Sequence, residues 1–178
     1  MTTFRNTENS GVKVEVCVQD YFTEASGIEP AIDAQTWQKW FECWLENLYS
    51  QLPPAASYEL SLRLTDDIEI QTLNSQYRQQ DKPTDVLAFA ALEADVPQSE
   101  ELRSLLPLYL GDIVISIDTA SKQAQQQTHS LLTELAWLAA HGLLHLLGWD
   151  HPDEESLLEM LEQQTLLLRI VGLDVNLV

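Results

Sequence analysis

Three of the four histidines of this chain, His141, His145 and His151, lie within eleven residues. The residues around the first two are almost all apolar, which is typical of a helix buried in the core of a domain. A buried imidazole needs a hydrogen-bond partner or a metal ion, because an unsatisfied buried polar group costs about 1–3 kcal/mol. These histidines are therefore either satisfied core residues or ligands of a metal.

The spacing of the three histidines favours the metal. Four residues separate His141 from His145, so both side chains project from one face of a helix. Gly148 can adopt the left-handed conformation that ends a helix, and the turn can bring His151 to the same point. Three neutral imidazoles with an open fourth position are a ligand set of catalytic zinc. The remaining histidine, His129, lies in a glutamine-rich stretch that predicts a solvated helix end or connection.

The same spacing, H-x-x-x-H-x-x-G-x-x-H, is the skeleton of the metzincin peptidase signature H-E-x-x-H-x-x-G-x-x-H. In this chain Gly142 stands where those peptidases have the glutamate that acts as general base. Loss of a general base costs about 10²–10⁴-fold in rate, so the pattern predicts the metal site without the peptidase chemistry. A structural zinc would need a fourth ligand. Asp150 is a candidate for it, although its position beside His151 suits a capping role better.

Composition indicates one folded domain over residues 1–178. A chain of 178 residues, of which 45% are hydrophobic, can bury a substantial core. The two cysteines are far apart in the sequence, which favours a reducing compartment over a disulfide framework. We see neither a signal peptide nor a run of about 18 apolar residues. These features predict a cytoplasmic protein without a membrane partner.

The net charge is strongly negative, because the chain has 28 acidic and nine basic residues and a formal charge of −19. Such a charge repels phosphate backbones and anionic membranes. The simplest interpretation is a solubilising acidic surface. Affinity for a nucleic acid would then have to come from a local cleft or from a partner.

Hydrophobic periodicity predicts an α+β fold, a single domain in which a small mixed β-sheet packs against helices and the zinc site lies on a buried helix. We expect strands within residues 12–18, 58–64, 86–89 and 110–117. We expect helices from the N-cap Asp33 to Leu48, from Asp66 to Arg78, from Asp118 to Leu147 with a break near residues 128–130, and after His151.

Some local details are also predicted. Asp66 and Glu69 have the spacing of a capping box, and an aromatic stripe at Trp37, Trp40 and Trp44 indicates core packing. Pro152 is expected at the first position of the last helix, followed by acidic residues in its first turn. Residues 93–101 are expected to form an acidic surface loop.

Arg78 is the candidate for a phosphate contact. It lies in the segment Tyr77–Asp85, which leads into a predicted strand. Its planar guanidinium has the geometry of phosphate oxygens. A zinc ion that activates water and an arginine that neutralises developing charge are together suited to cleave a phosphodiester. Considered alone, an arginine in such a segment is more often a surface or ion-pairing residue than a phosphate ligand.

Three blocks of the sequence, taken together, resemble the YbeY family of bacterial metal-dependent endoribonucleases, which are linked to maturation of small-subunit ribosomal RNA and to ribosome quality control. The blocks are Tyr77-Arg78 with Asp81–Phe89, then Leu110–Ser116, then the histidine run. The resemblance implies one Zn²⁺ bound by His141, His145 and His151, and Arg78 in the cleft as a residue needed for cleavage. It also implies ribosomal RNA or its precursor as substrate, and a small-subunit ribosomal protein and a ribosome-assembly GTPase as partners.

The sequence departs from the family pattern away from these residues. Ala88 and Ala90 stand where serine and proline are common, so no catalytic hydroxyl is assigned there, and Trp149 replaces a more usual tyrosine. We therefore expect a zinc-dependent single-strand endoribonuclease that acts in small-subunit rRNA maturation and ribosome quality control. The alternatives are a metallopeptidase-like hydrolase and a non-catalytic ribosome-assembly factor that contains zinc.

Overall fold

A computed structural model describes residues 11–20, 32–91 and 100–175. Within these residues the chain forms four strands, six α-helices and one 3₁₀ turn. In chain order they are β1 (Val14–Asp20), α1 (Ala34–Asn47), the 3₁₀ turn (Tyr49–Gln51), β2 (Ser57–Thr65), α2 (Asp67–Arg78), β3 (Val86–Ala90), α3 (Glu100–Arg103), β4 (Pro107–Ser116), α4 (Ile117–Gln127), α5 (Leu131–Leu146) and α6 (Glu154–Ile170).

The strands form one mixed sheet in the order β1-β2-β4-β3. Strands β1, β2 and β4 are parallel. β3 is an edge strand and runs antiparallel to β4, from the pair Val86–Ile115 to the pair Ala90–Gly111. The predicted α+β fold with a mixed sheet is confirmed.

The core lies between one face of the sheet and the helices α1, α5 and α6. Leu60, Leu62 and Leu64 alternate along β2 with half-buried residues and are at most 1% exposed. The predicted aromatic stripe on α1 is buried too, and the Trp44 indole Nε1–H donates to the Leu167 carbonyl of α6 at 2.8 Å. Burial of each such large apolar side chain stabilises the fold by about 1.5–3 kcal/mol. Leu135, Leu143 and Leu144 of α5 are buried in the same core, which fixes the position of that helix.

Most predicted helix boundaries are confirmed. Asp33 and Asp66 are N-caps, and each side chain accepts a hydrogen bond from a backbone N–H three residues later. The predicted helical break is also present, because Thr128 has a φ of 58° and Ser130 caps the start of α5.

Two helix starts differ from the prediction. The capping box at Asp66 is only half formed, because the Glu69 carboxylate pairs with Arg63 on β2. Pro152 is not the first residue of the last helix, because Asp153 is the N-cap and forms a capping box with Ser156. The helix starts after Asp153 because the Asp153 carboxylate accepts the free N–H of Ser156 at 2.8 Å, whereas proline has no side-chain acceptor. The acidic first turn of this helix is confirmed.

The predicted acidic loop at residues 93–101 lies largely outside the described residues, and its last two residues belong to α3. β4 starts at Pro107, three residues before the predicted strand. Among the described segments, no helix combines the length and apolarity needed to span a membrane.

Candidate metal centre and cleft

The end of α5 positions the three histidines. His141 and His145 lie on its last two turns, and the helix ends in a Schellman motif. In this motif Gly148, with a φ of 95°, donates to the His145 carbonyl at 3.0 Å, and Trp149 N–H donates to the Leu144 carbonyl at 3.0 Å. The reversed chain then returns His151 towards the other two imidazoles.

The three rings meet at one point, as the spacing predicted. The ring centroids of His141 and His145 are 4.5 Å apart, and His151 lies 5.7 Å and 5.4 Å from them. One ring nitrogen from each residue lies within 4.8 Å of the others. The cluster can therefore offer three nitrogen ligands to a single cation.

Hydrogen bonds fix which nitrogen each of the two half-buried rings, His141 and His145, presents. His141 Nδ1 lies 2.9 Å from Gln164 Oε1, and His145 Nδ1 lies 2.8 Å from the Trp149 carbonyl oxygen. Both oxygens only accept, so each Nδ1 carries the proton and donates. The Nε2 atom of each neutral ring consequently has a free lone pair, and the two Nε2 atoms are 3.0 Å apart.

The electrostatics of the cluster favour neutral imidazoles. Burial lowers the pKa of His141 and of His145, and for His145 the neighbouring His141 lowers the pKa further. With neither Nε2 protonated, the two lone pairs face each other without a proton between them. A zinc ion about 2.0–2.1 Å from each nitrogen would hold tetrahedral ligands roughly 3.3 Å apart, close to the observed separation. The donor set therefore fits a metal ion.

Asp150 does not join the ligand cluster. It is exposed, and its Oδ1 accepts the His151 backbone N–H at 2.8 Å. Within the part of the chain that the structure describes, the cluster holds three histidines and no carboxylate. A tetrahedral ion held by these three imidazoles would keep one coordination position for another ligand.

Two histidines of the cluster, His141 and His145, line a cleft of about 670 Å³ between α5, β3 and the end of α2. Arg78, the last residue of α2, lines the same cleft as His141 and His145. Its Nη2 donates to the Ala88 carbonyl of β3 at 2.8 Å, and its Cζ lies 5.5 Å from the centroid of the Phe89 ring. The structure thus brings the predicted arginine and the predicted metal ligands to one site.

Comparison with known proteins agrees with the resemblance that the three sequence blocks indicated. The profile of the family described as Endoribonuclease YbeY matches residues 23–172, which include Arg78 and all three clustered histidines. The chain belongs to this family.

Relatives in the YbeY family match almost the whole chain. A protein named Endoribonuclease YbeY from Trichormus variabilis is 64% identical over 174 residues, covering 93% of this chain and 98% of that protein. A protein of the same name from Nostoc sp. is 63% identical over 179 residues, covering 95% and 97%. The solution structure of TM1509 from Thermotoga maritima is similar in fold, with a TM-score of 0.53, 24% identity, and coverage of 89% and 88%.

Two polar residues of this YbeY-family site were not found from the sequence. Gln164 is fully buried on α6 and holds the His141 ring. The sequence feature that could have indicated it is one glutamine among the apolar residues that α6 buries. Asp85 lines the cleft, and its carboxylate accepts from Val86 N–H at 2.7 Å and from Gln123 Nε2 at 3.2 Å. Burial lowers the pKa of His141, and the negative charge of Asp85 partly opposes that effect.

His129 lies in the connection between α4 and α5, as predicted, but its side chain is not solvated. Only 19% of that side chain is exposed, and its Nε2 contacts the buried Glu134 carboxylate. Burial raises the pKa of Glu134, and the contact with His129 opposes that change. The prediction of a solvated residue was wrong because the buried acid on α5, seven residues before His141, needs a partner.

Proposed function

We propose that this protein is a zinc-dependent endoribonuclease that cleaves single-stranded segments of small-subunit ribosomal RNA or its precursor, and that it acts in ribosome quality control. The observation that supports this most strongly is that Arg78 lines one cleft with His141 and His145, whose ring nitrogens lie close to a ring nitrogen of His151. Membership of the family described as Endoribonuclease YbeY supplies the reaction class.

In this proposal His141, His145 and His151 hold the zinc through ring nitrogens. When bound, zinc supplies Lewis acidity and lowers the pKa of a coordinated water to about 7. Gln164 and the Trp149 carbonyl fix the half-buried rings of His141 and His145 by accepting their Nδ1 protons. Such partners orient metal ligands and keep the correct nitrogen free.

Arg78 binds the phosphate at which the RNA is cleaved and neutralises the charge that develops on its oxygens. The guanidinium has five N–H donors, and its hydrogen bond to the Ala88 carbonyl orients it beside the cleft. This bond uses the backbone of residue 88, so alanine is sufficient there and no catalytic hydroxyl is required.

The peptidase alternative is disfavoured at Gly142. A Cβ atom at this position would lie 2.8 Å from Cγ2 of Ile113, a fully buried residue of β4. A glutamate would need this space to be vacated by the sheet. A side chain at position 142 would overlap Ile113, which disfavours the general base of a metzincin peptidase at this position.

The net charge of −19 requires that affinity for RNA be local. The small-subunit ribosomal protein and the ribosome-assembly GTPase proposed as partners would recruit the protein to its RNA in the cytoplasm. We expect the isolated protein to bind generic RNA weakly. Tight, salt-sensitive binding of random RNA would contradict this.

The test is cleavage of a precursor rRNA fragment by the zinc-loaded protein, with bound zinc measured in parallel. His141→Ala should lose both zinc and cleavage. Arg78→Gln should keep its zinc and lose about 10²–10³-fold in rate, the usual effect of removing one donor to a developing oxyanion. Arg169→Gln, an exposed change at the end of α6, is the matched control. Full activity in both site variants would refute the assignment.

A further inference from the structure

An exposed aromatic ring stands at the rim of the cleft. Tyr77, the penultimate residue of α2, is 58% exposed. Its ring packs edge-on against Phe89 of β3, with centroids 5.2 Å apart and an interplanar angle of 65°. Phe89 is half-buried, and the Arg78 guanidinium lies near its ring. Phe89 thus supports the tyrosine from behind, and most of the Tyr77 ring remains accessible.

The rim is continuous with the proposed catalytic site. Tyr77, Arg78 and Phe89 line the same cleft as His141 and His145. The Tyr77 ring centroid and the Arg78 Cζ lie 5.2 Å and 5.5 Å from the centroid of the Phe89 ring, so both groups lie beside the same ring and can contact neighbouring parts of one strand. Tyr77 and Phe89 also line a second groove, between α2 and the sheet, so the aromatic pair forms the ridge between the two.

The chemistry of this ridge suits an uncharged, planar group. Few cations are available in a chain with nine basic residues, so phosphate contacts alone give this protein little affinity. Stacking of a nucleobase on an aromatic ring adds affinity without a counter-charge. Bases inside a duplex are already stacked and paired, so only an unpaired base can occupy such a ring.

We propose that Tyr77, supported by Phe89, is the binding subsite for one unpaired nucleobase beside the phosphate held by Arg78. The inference rests on the proposed nuclease function and assigns the recognition of single strands to this ring. The base stacks on the tyrosine ring while the backbone passes Arg78 into the cleft. Because every base has a π-face, the subsite tolerates sequence variation and rejects duplex RNA.

Binding of a non-cleavable 2′-O-methyl single strand to the full chain tests the subsite without requiring turnover. Tyr77→Ala should weaken binding about tenfold, within the range measured for one stacked base. Tyr77→Phe should bind within about twofold of the wild type, because the ring is retained. Tyr49→Ala is the matched control, since Tyr49 is 67% exposed and lies outside the residues that line the cleft.

A series of oligonucleotides, each with one abasic position, locates the base. One abasic position should weaken wild-type binding by the same factor as Tyr77→Ala and should have no further effect in that variant, since the two changes remove one interaction. The salt dependence of binding should be unchanged by Tyr77→Ala, whereas Arg78→Gln should reduce the slope by about 0.7.

Wild-type affinity in Tyr77→Ala, or equal abasic effects in both proteins, would overturn the subsite. Tyr77→Leu keeps apolar packing against Phe89 but offers no ring, so it replaces the alanine variant if that variant unfolds. Its binding should fall by a similar factor. If the wild type binds with this pattern but cleaves no RNA, the nuclease proposal fails while the base subsite stands.

Discussion

Gln164 offers the sharpest test of how the fold prepares the histidines. Its side chain is 0% exposed, and its Oε1 accepts the His141 Nδ1 proton at 2.9 Å. Its own Nε2 lies 3.4 Å from the Trp137 carbonyl oxygen, which is a weak contact. Gln164→Leu preserves the approximate volume of the side chain and removes the acceptor. The His141 Nδ1–H is then left unpaired in the core.

The structure sets the size of the expected effect. An unpaired buried donor costs about 1–3 kcal/mol, so the free energy of unfolding of the metal-free protein should fall by about that amount. Zinc affinity should fall by about 10–100-fold, the usual effect of removing the partner that orients a histidine ligand. Urea unfolding in the presence of a chelator gives the first quantity, and competition with a chromophoric zinc chelator gives the second.

Two further variants make the result specific to the hydrogen bond. Gln163→Leu alters the neighbouring, half-buried glutamine and should leave zinc affinity unchanged. Gln164→Glu restores an acceptor to the His141 ring and should recover zinc affinity, although its buried charge lowers stability. If Gln164→Leu lost stability but bound zinc within twofold of the wild type, the residue would fill the core without orienting the ligand.

Three other outcomes follow from the same geometry. Burial lowers the pKa of His141 and of His145, so below about pH 6.5 the unfolded chain binds more protons than the folded chain. The free energy of unfolding of the metal-free protein, measured by urea titration, should therefore fall as the pH is lowered from about 6.5. A profile that does not change with pH would contradict this. Gly142→Ala should lower the melting temperature, because overpacking against Ile113 costs about 1–3 kcal/mol and exceeds the helix-propensity gain of about 1 kcal/mol; a higher melting temperature would show that the sheet yields. Gly148→Ala should lower the free energy of unfolding by about 1–2 kcal/mol, because alanine is strained at a φ of 95°. It should also weaken zinc binding by displacing His151, and a competition titration measures that affinity. Unchanged zinc affinity would show that the turn does not position His151.

The sequence by itself determined the features that depend on neighbours along the chain. The separation of His141 and His145 placed both on one helix face, and Gly148 marked the end of that helix. Alternation in β2 and the stripe of α1 identified the buried faces, because periods of 2 and 3.6 residues report which side of an element meets the core. The three blocks that resemble the YbeY family were visible for the same reason, since each is a short continuous motif.

Only the tertiary structure decided which distant groups complete the site. Gln164 lies 23 residues after His141, and their contact exists because α6 packs on α5. Arg78 reaches the cleft because α2 ends beside β3. The side chain of His129, which the sequence alone predicted to be solvated, contacts the buried Glu134 carboxylate. Such pairings depend on how the helices and the sheet pack. A single polar side chain leaves no periodic pattern in the sequence from which its partner could be predicted. Local geometry therefore predicted the histidine cluster, whereas the packing of helices on the sheet selected the residues that hold its rings.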